Sequence, residues 1–250
     1  MVQPKKVNIF VGNYGSGKTE LAVNYAMRLA SQGHKVALVD LDIVNLYFRS
    51  RETREYLEQA GVRVITPLGK LSAADLPALS PAILGALQNE EELVVLDVGG
   101  DDVGATALGR FNRYFQPGNY NMFFVVNTCR PFTRDEAGIQ EIFTEVTTAA
   151  RLNATALISN SNLGAETQWE TIMEGLQRVQ SVAQQLQLPV AFIGVPDTLI
   201  SQATDYLPEE LILPVHRFMN PPWNEAEGRP LVDPASNWNR FQSMQNKEGK

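Results

Sequence analysis

Cysteine is nearly absent: Cys129 is the single one in 250 residues. One thiol excludes an internal disulfide framework and any zinc site built from several thiolates of one chain. The two histidines, His34 and His216, lie apart, and neither has the neighbours of a catalytic base or a metal site. No apolar run reaches membrane-spanning length. The stretch from Val7 to Val11 that follows two early lysines is too short for the core of a secretory signal. The expected compartment is therefore the cytoplasm. Basic runs are missing too: 28 acidic against 21 basic side chains leave a net charge of −7, which disfavours a nucleic-acid backbone as partner. With 44% hydrophobic and 20% charged residues, the chain is also far from the composition of disorder.

What is present is alternation. Short apolar, β-branched runs at 6–11, 35–40, 62–65, 93–97, 121–127, 155–159 and 190–194 read as strands buried on both faces. Between them, 18–32, 51–60, 77–88, 103–115, 133–151 and 165–187 read as helices, with Gly33 and Gly61 at left-handed caps. Strict β-α-β order predicts a three-layer α/β fold around a doubly wound, mostly parallel sheet. The length allows one large domain or two small ones, and the pattern favours one, over 1–220. From Pro221 the composition shifts to Pro, Asn and Gln, so 221–250 is expected to be a weakly ordered tail, pinned by Trp223, Trp238 or Phe241.

The first strand runs into Gly12-Asn13-Tyr14-Gly15-Ser16-Gly17-Lys18-Thr19, which fits G-x-x-x-x-G-K-[ST]. Glycines let backbone N–H groups converge on a phosphate without side-chain clash. The positive end of the following helix faces the same anion. The Lys18 ammonium reaches the β- and γ-phosphates, and the Thr19 hydroxyl is a ligand for Mg²⁺.

Transfer or hydrolysis needs carboxylates as well. The run Leu93-Val94-Val95-Leu96-Asp97 ends a buried strand in aspartate, a source of a Mg²⁺ carboxylate, and continues as Asp97-Val98-Gly99-Gly100. There the Gly100 N–H is placed to sense a γ-phosphate. The second strand ends Asp40-Leu41-Asp42, and period-2 geometry turns both carboxylates to one side at the carboxyl end of the strand, where ligand crevices of such sheets lie. Two close carboxylates repel unless a cation or water shares them, which suggests metal contact for Asp40 and water orientation for Asp42. Loop-capping carboxylates at Asp40 and Asp42 and a helix N-cap at Asp97 are the plainer alternatives.

Together these segments resemble the MinD/ParA/Mrp class of P-loop ATPases, which is similar to the nitrogenase iron protein and the ATPase domain of cobyrinic acid a,c-diamide synthase. The likeness spans roughly 6–200. It implies that Asp42 orients the attacking water and that Thr19, Asp40 and Asp97 organise Mg²⁺. Gly12 to Thr19, Glu20 and Gly100 would hold the phosphates of ATP or ADP. Leu157-Ile158-Ser159-Asn160-Ser161 looks like the iron-protein segment whose asparagine, here Asn160, bonds adenine; Asn160 as a turn residue is the other reading. Ile193-Gly194-Val195-Pro196-Asp197 looks like the segment that packs beside the base. Two departures stand out. The class carries an extra lysine, acting across a dimer, where this chain has Asn13. Where the iron protein has a cluster cysteine, this chain has Gly104, so no iron–sulfur cluster is expected. The guanine signature N-K-x-D is missing as well, Ser159-Asn160-Ser161-Asn162 standing in its place, which favours adenine.

The expectation is a Mg-dependent ATPase acting as a nucleotide-driven switch, dimerising with a second copy and serving an unidentified client protein or small molecule. A small-molecule kinase or ligase and an ATP-occupied binding module with negligible turnover remain as alternatives.

Overall fold

The computed structural model describes residues 2–41, 51–66, 81–100, 102–109 and 111–218, with backbone alone for 51–53 and 102–103. The expected tail at 221–250, the carboxylate of Asp42 and the stretch 67–80 lie outside the described residues.

Among the described residues eight strands form one sheet: β1 (Val7–Gly12), β2 (Lys35–Leu41), β3 (Val62–Ile65), β4 (Glu92–Val98), β5 (Tyr120–Val126), β6 (Ala156–Ser159), β7 (Val190–Pro196) and β8 (Ile212–Val215). Their order is β3-β2-β4-β1-β5-β6-β7-β8, and every neighbouring pair is parallel. The helices are α1 (Lys18–Ser31), α2 (Arg51–Gln59), α3 (Pro81–Gln88), α4 (Asp102–Gly109), α5 (Glu136–Ala150), α6 (Trp169–Leu186) and α7 (Ile200–Tyr206). This is a doubly wound, three-layer α/β fold around a parallel sheet, as the strand and helix alternation predicts.

The apolar runs are continuous because each strand is covered twice. Val7, Ile9 and Val11 of β1, with Val94, Leu96 and Val98 of β4, face one core together with residues of α3, α4 and α5. Phe10 and Val95 face the other, with Leu21, Ala22 and Tyr25 of α1. Under the first loop, Phe10, Tyr25, Phe123 and Phe192 pack at ring-centroid separations from 5.3 to 5.9 Å. Such aromatic pairs each add about 0.5–1.5 kcal/mol beyond their buried area.

Several boundaries differ from the sequence expectation for local reasons. The helix expected over 103–115 stops at Gly109, and a 3₁₀ turn, Asn112–Tyr114, follows. The helix expected from 133 starts at Glu136, because Asp135 caps it by accepting from the Gly138 N–H at 2.9 Å. α7 and β8 were not anticipated. β8 has four residues including Pro214 and, among the described residues, pairs only with β7, an edge position that tolerates the missing N–H of proline.

Candidate functional site

β1 lies between β4 and β5, where the chain reverses its winding direction, so its carboxyl end opens into the crevice of the sheet. The loop that follows is fixed by two glycines. Gly12 (φ +148) leaves no room for a Cβ, which would sit 2.4 Å from the Val125 carbonyl oxygen. Gly17 (φ +85) is left-handed, and a Cβ there would meet Asn160 Nδ2 at 2.4 Å. Gly17 is also the N-cap of α1 and has no side-chain cap bond, which leaves the first N–H groups of the helix for an anion. Lys18 is buried, and its ammonium donates to the Asn13 carbonyl at 2.9 Å. Asn13 Oδ1 accepts from the Tyr14 N–H at 2.8 Å. Ser16 is buried, and its hydroxyl has no hydrogen-bond partner among the described residues. The Tyr14 ring, by contrast, is 70% exposed at the loop tip.

On the β4 side stand the carboxylates. Asp40 and Asp97 are register partners on β2 and β4, both buried. Alternation from Leu38 and Val95 puts them on the sheet face that α1 covers, and the first turn of that helix carries Lys18 and Thr19. Gly100 closes this side: a Cβ on it would lie 2.7 Å from Lys18 Nζ and 2.8 and 2.9 Å from Tyr14 N and Cα. Two carboxylates and a hydroxyl are hard oxygen donors, the set that Mg²⁺ takes together with substrate phosphates. Among the described residues no group of three or more His, Cys, Asp or Glu side chains is placed to hold a metal alone. The donor set thus fits a cation shared with phosphate.

On the β5 to β7 side, Asn160 is buried and donates from Nδ2 to the Ser16 carbonyl at 2.8 Å. Its Oδ1 lies where a Cβ on Gly194 would be, at 2.3 Å, so the amide is wedged between loop and β7. Sequence reasoning did not foresee this use of Asn160 on the loop itself. Pro196 ends β7, and the Asp197 carboxylate next to it pairs with His216 Nδ1 at 2.5 Å. Glu20, in the first turn of α1, accepts with both carboxylate oxygens from the Phe218 N–H at 3.1 and 3.0 Å. Burial pushes the half-buried Cys129 thiol above its ordinary value, the charge of Arg130 opposing in part, which suits a packed residue more than a nucleophile.

Arg130 is the residue that sequence reasoning missed. Its Nε donates to the Gly15 carbonyl at 2.9 Å. The available signal was its place just beyond the carboxyl end of a buried strand, the end from which such crevices are lined. Arg54, on α2, pairs with Glu58 at 2.9 Å on the exposed face of that helix.

The family described as CbiA, the CobQ/CobB/MinD/ParA nucleotide binding domain, matches residues 9–204. No curated protein matches the chain. Among solved structures, the cell division protein FtsY of Thermotoga maritima is 22% identical, with a TM-score of 0.53 over 78% of this chain and 63% of that one. The signal recognition particle receptor FtsY of Elizabethkingia anophelis, solved with GDP, is 21% identical, with a TM-score of 0.51 over 78% and 58%. FtsY of Mycoplasma mycoides is 18% identical, with a TM-score of 0.53 over 77% and 60%. This chain spans about three fifths of the length of those structures, and the likeness is one of fold.

Proposed function

Because the chain belongs to the CobQ/CobB/MinD/ParA nucleotide binding domain family, we propose that it binds Mg-ATP on the loop 12–19 and hydrolyses it to ADP and phosphate as a nucleotide-driven switch. One observation carries the proposal: the buried Lys18 ammonium is held between the Asn13 carbonyl and Gly100, directly at the open N-terminus of α1. In this reading Lys18 neutralises charge developing on the γ-phosphate, which is where most of the rate enhancement in phosphoryl transfer arises. Thr19, Asp40 and Asp97 hold Mg²⁺, which when bound supplies further charge neutralisation on the phosphate oxygens. Asp42 orients the attacking water. Gly100, packed so close to the loop that a Cβ on it would meet Tyr14 N at 2.8 Å, reports whether a γ-phosphate is present.

Adenine is favoured by the missing guanine signature. A guanine reader ends N-K-x-D in a carboxylate that accepts from the N1 and N2 hydrogens of the base; in Ser159-Asn160-Ser161-Asn162 that position is Asn162, an uncharged amide whose Oδ1 accepts from the Gly164 N–H at 3.3 Å. Guanine still has to be tested directly, since one FtsY structure of the same fold contains GDP. A slow-turnover reading has its own support. Asn13 occupies the place of the extra lysine and turns its side chain onto the Tyr14 N–H of its own loop, so charge supplied across a dimer is reduced. A nucleotide-dependent homodimer, a cytoplasmic location, one domain over 1–220 and a client bound in only one nucleotide state complete the proposal.

The test is phosphate release from Mg-ATP and Mg-GTP by the wild type and by Asp42→Ala. The expected result is slow Mg-dependent release that prefers ATP, lost in Asp42→Ala while nucleotide binding persists. Unchanged release in Asp42→Ala removes the water-orienting role. Faster release from GTP reverses the assignment of the base.

A further inference from the structure

The strand order divides the crevice into two sides around the loop 12–19. Asp40, Asp97 and Gly100 come from the β2 and β4 side, and Arg130, Asn160 and Pro196 come from the ends of β5, β6 and β7. A polyphosphate seated on the N-terminus of α1 with its cation at the carboxylates must therefore extend its nucleoside over β5 to β7. Two consecutive loop carbonyls point the same way. Ser16 offers its oxygen to Asn160 at 2.8 Å and Gly15 offers its oxygen to Arg130 at 2.9 Å. In a trans peptide the C=O and the next N–H are antiparallel, so the Gly17 N–H is left on the opposite, anion-facing side.

Arg130 is held in this place by a well-bonded segment. Its N–H donates to the Asn127 carbonyl at 3.2 Å, and its own carbonyl accepts from Thr133 at 3.1 Å. The Thr133 hydroxyl donates to the Asn127 carbonyl at 2.7 Å, and Asn127 Oδ1 accepts from Cys129 and Asn162 N–H groups at 3.0 and 3.2 Å. With Nε committed to Gly15, the guanidinium lies over that glycine, its Cζ 3.8 Å from where a Cβ would be. Its two Nη groups have no hydrogen-bond partner among the described residues, and the side chain is half exposed. A planar cation fixed at one nitrogen, with a free face and free donors beside a nucleotide, is suited to stack on a base and to bond sugar oxygens.

Resting on the nucleotide-binding reading above, we propose that Arg130 is a nucleoside-binding residue: its guanidinium, anchored on the Gly15 carbonyl, packs against the sugar and base of the bound nucleotide. It does not contact the γ-phosphate, which lies on the far side of the loop.

The test compares dissociation constants of Mg-ATP, Mg-ADP and Mg-tripolyphosphate for the full chain as wild type, Arg130→Ala and Arg130→Lys. The tripolyphosphate is measured by displacement of a fluorescent ADP. The expected result for Arg130→Ala is an equal loss for ATP and ADP of about fivefold to tenfold, with tripolyphosphate affinity unchanged. Arg130→Lys keeps a cation and a donor but not the plane, and should still lose part of the nucleoside affinity; it also serves if the alanine variant does not fold. An equal loss for tripolyphosphate makes Arg130 a brace of the loop or a phosphate cation and overturns the proposal. So does a loss confined to ATP, or no loss at all. A wild type that binds neither nucleotide instead overturns the reading on which this one rests, and this one with it.

Discussion

The side-chain amide of Asn160, at the end of β6, donates to the carbonyl of Ser16 in the phosphate loop at 2.8 Å, in a buried environment. One bond thus connects the strand end expected to meet the base with the loop expected to hold the phosphates. Replacing Asn160 by Ala leaves the Ser16 carbonyl without its donor, at a cost of about 1–3 kcal/mol. For a chain of this size that is a fall in melting temperature of roughly 2–4 °C per kcal/mol. Melting without ligand should drop accordingly, and ADP affinity with it. An unchanged melting temperature contradicts the bracing role.

Gly100 tests the β4 side of the loop. A Cβ there meets the flexible end of Lys18, which can move, but also Tyr14 N and Cα, which are backbone. Gly100→Ala should leave the fold intact and weaken a non-hydrolysable ATP analogue by roughly tenfold, about 1.4 kcal/mol, with a smaller effect on ADP. Calorimetric titration of both ligands decides it, and equal affinities in variant and wild type refute the close approach.

Asp40 and Asp97 stand side by side on β2 and β4. If they organise the cation, Asp97→Asn should raise the Mg²⁺ concentration needed for half-maximal phosphate release by about tenfold, within the range by which a lost metal-site partner weakens affinity. The same variant should retain metal-free ADP binding. A Mg²⁺ dependence identical to wild type assigns Asp97 to the fold alone.

Tyr25 sets a pH dependence. Burial pushes its phenol well above the ordinary value near 10, the Arg28 charge opposing in part. A raised folded-state value means that the unfolded chain loses this proton first. The associated stability is complete below about pH 10 and is lost as pH rises above it, at up to about 1.4 kcal/mol per pH unit. Denaturant unfolding at pH 8 and pH 11 should show a steeper alkaline loss for wild type than for Tyr25→Phe. Parallel losses contradict the shift.

Much of this was legible in the sequence, because it rests on local chemistry. Seven of the strands follow from apolar runs that burial on both faces requires, and the loop 12–19 follows from its glycines and Lys18. Gly33 and Gly61 carry the left-handed φ values, +87 and +85, expected of helix caps. What was not legible depends on distant contacts. β8, with Pro214 in a four-residue run, exists because β7 offers it an edge. Arg130 reaches Gly15 across 115 residues and Glu20 reaches Phe218 across 198, and no spacing rule connects such pairs. The loop use of Asn160 belongs to the same class: residue type and place were readable, its partner was not.

Thermal unfolding with and without Mg-ATP, Mg-GTP and ADP, on the wild type and on Lys18→Ala, tests the central claim most directly. A ligand at 100 times its dissociation constant adds about 2.7 kcal/mol, or roughly 5–10 °C for a chain of this size. The wild type should gain that much with Mg-ATP and ADP and less with Mg-GTP, and Lys18→Ala should gain almost nothing. No shift of the wild type with any nucleotide, or an equal shift in Lys18→Ala, contradicts a nucleotide site built on this loop.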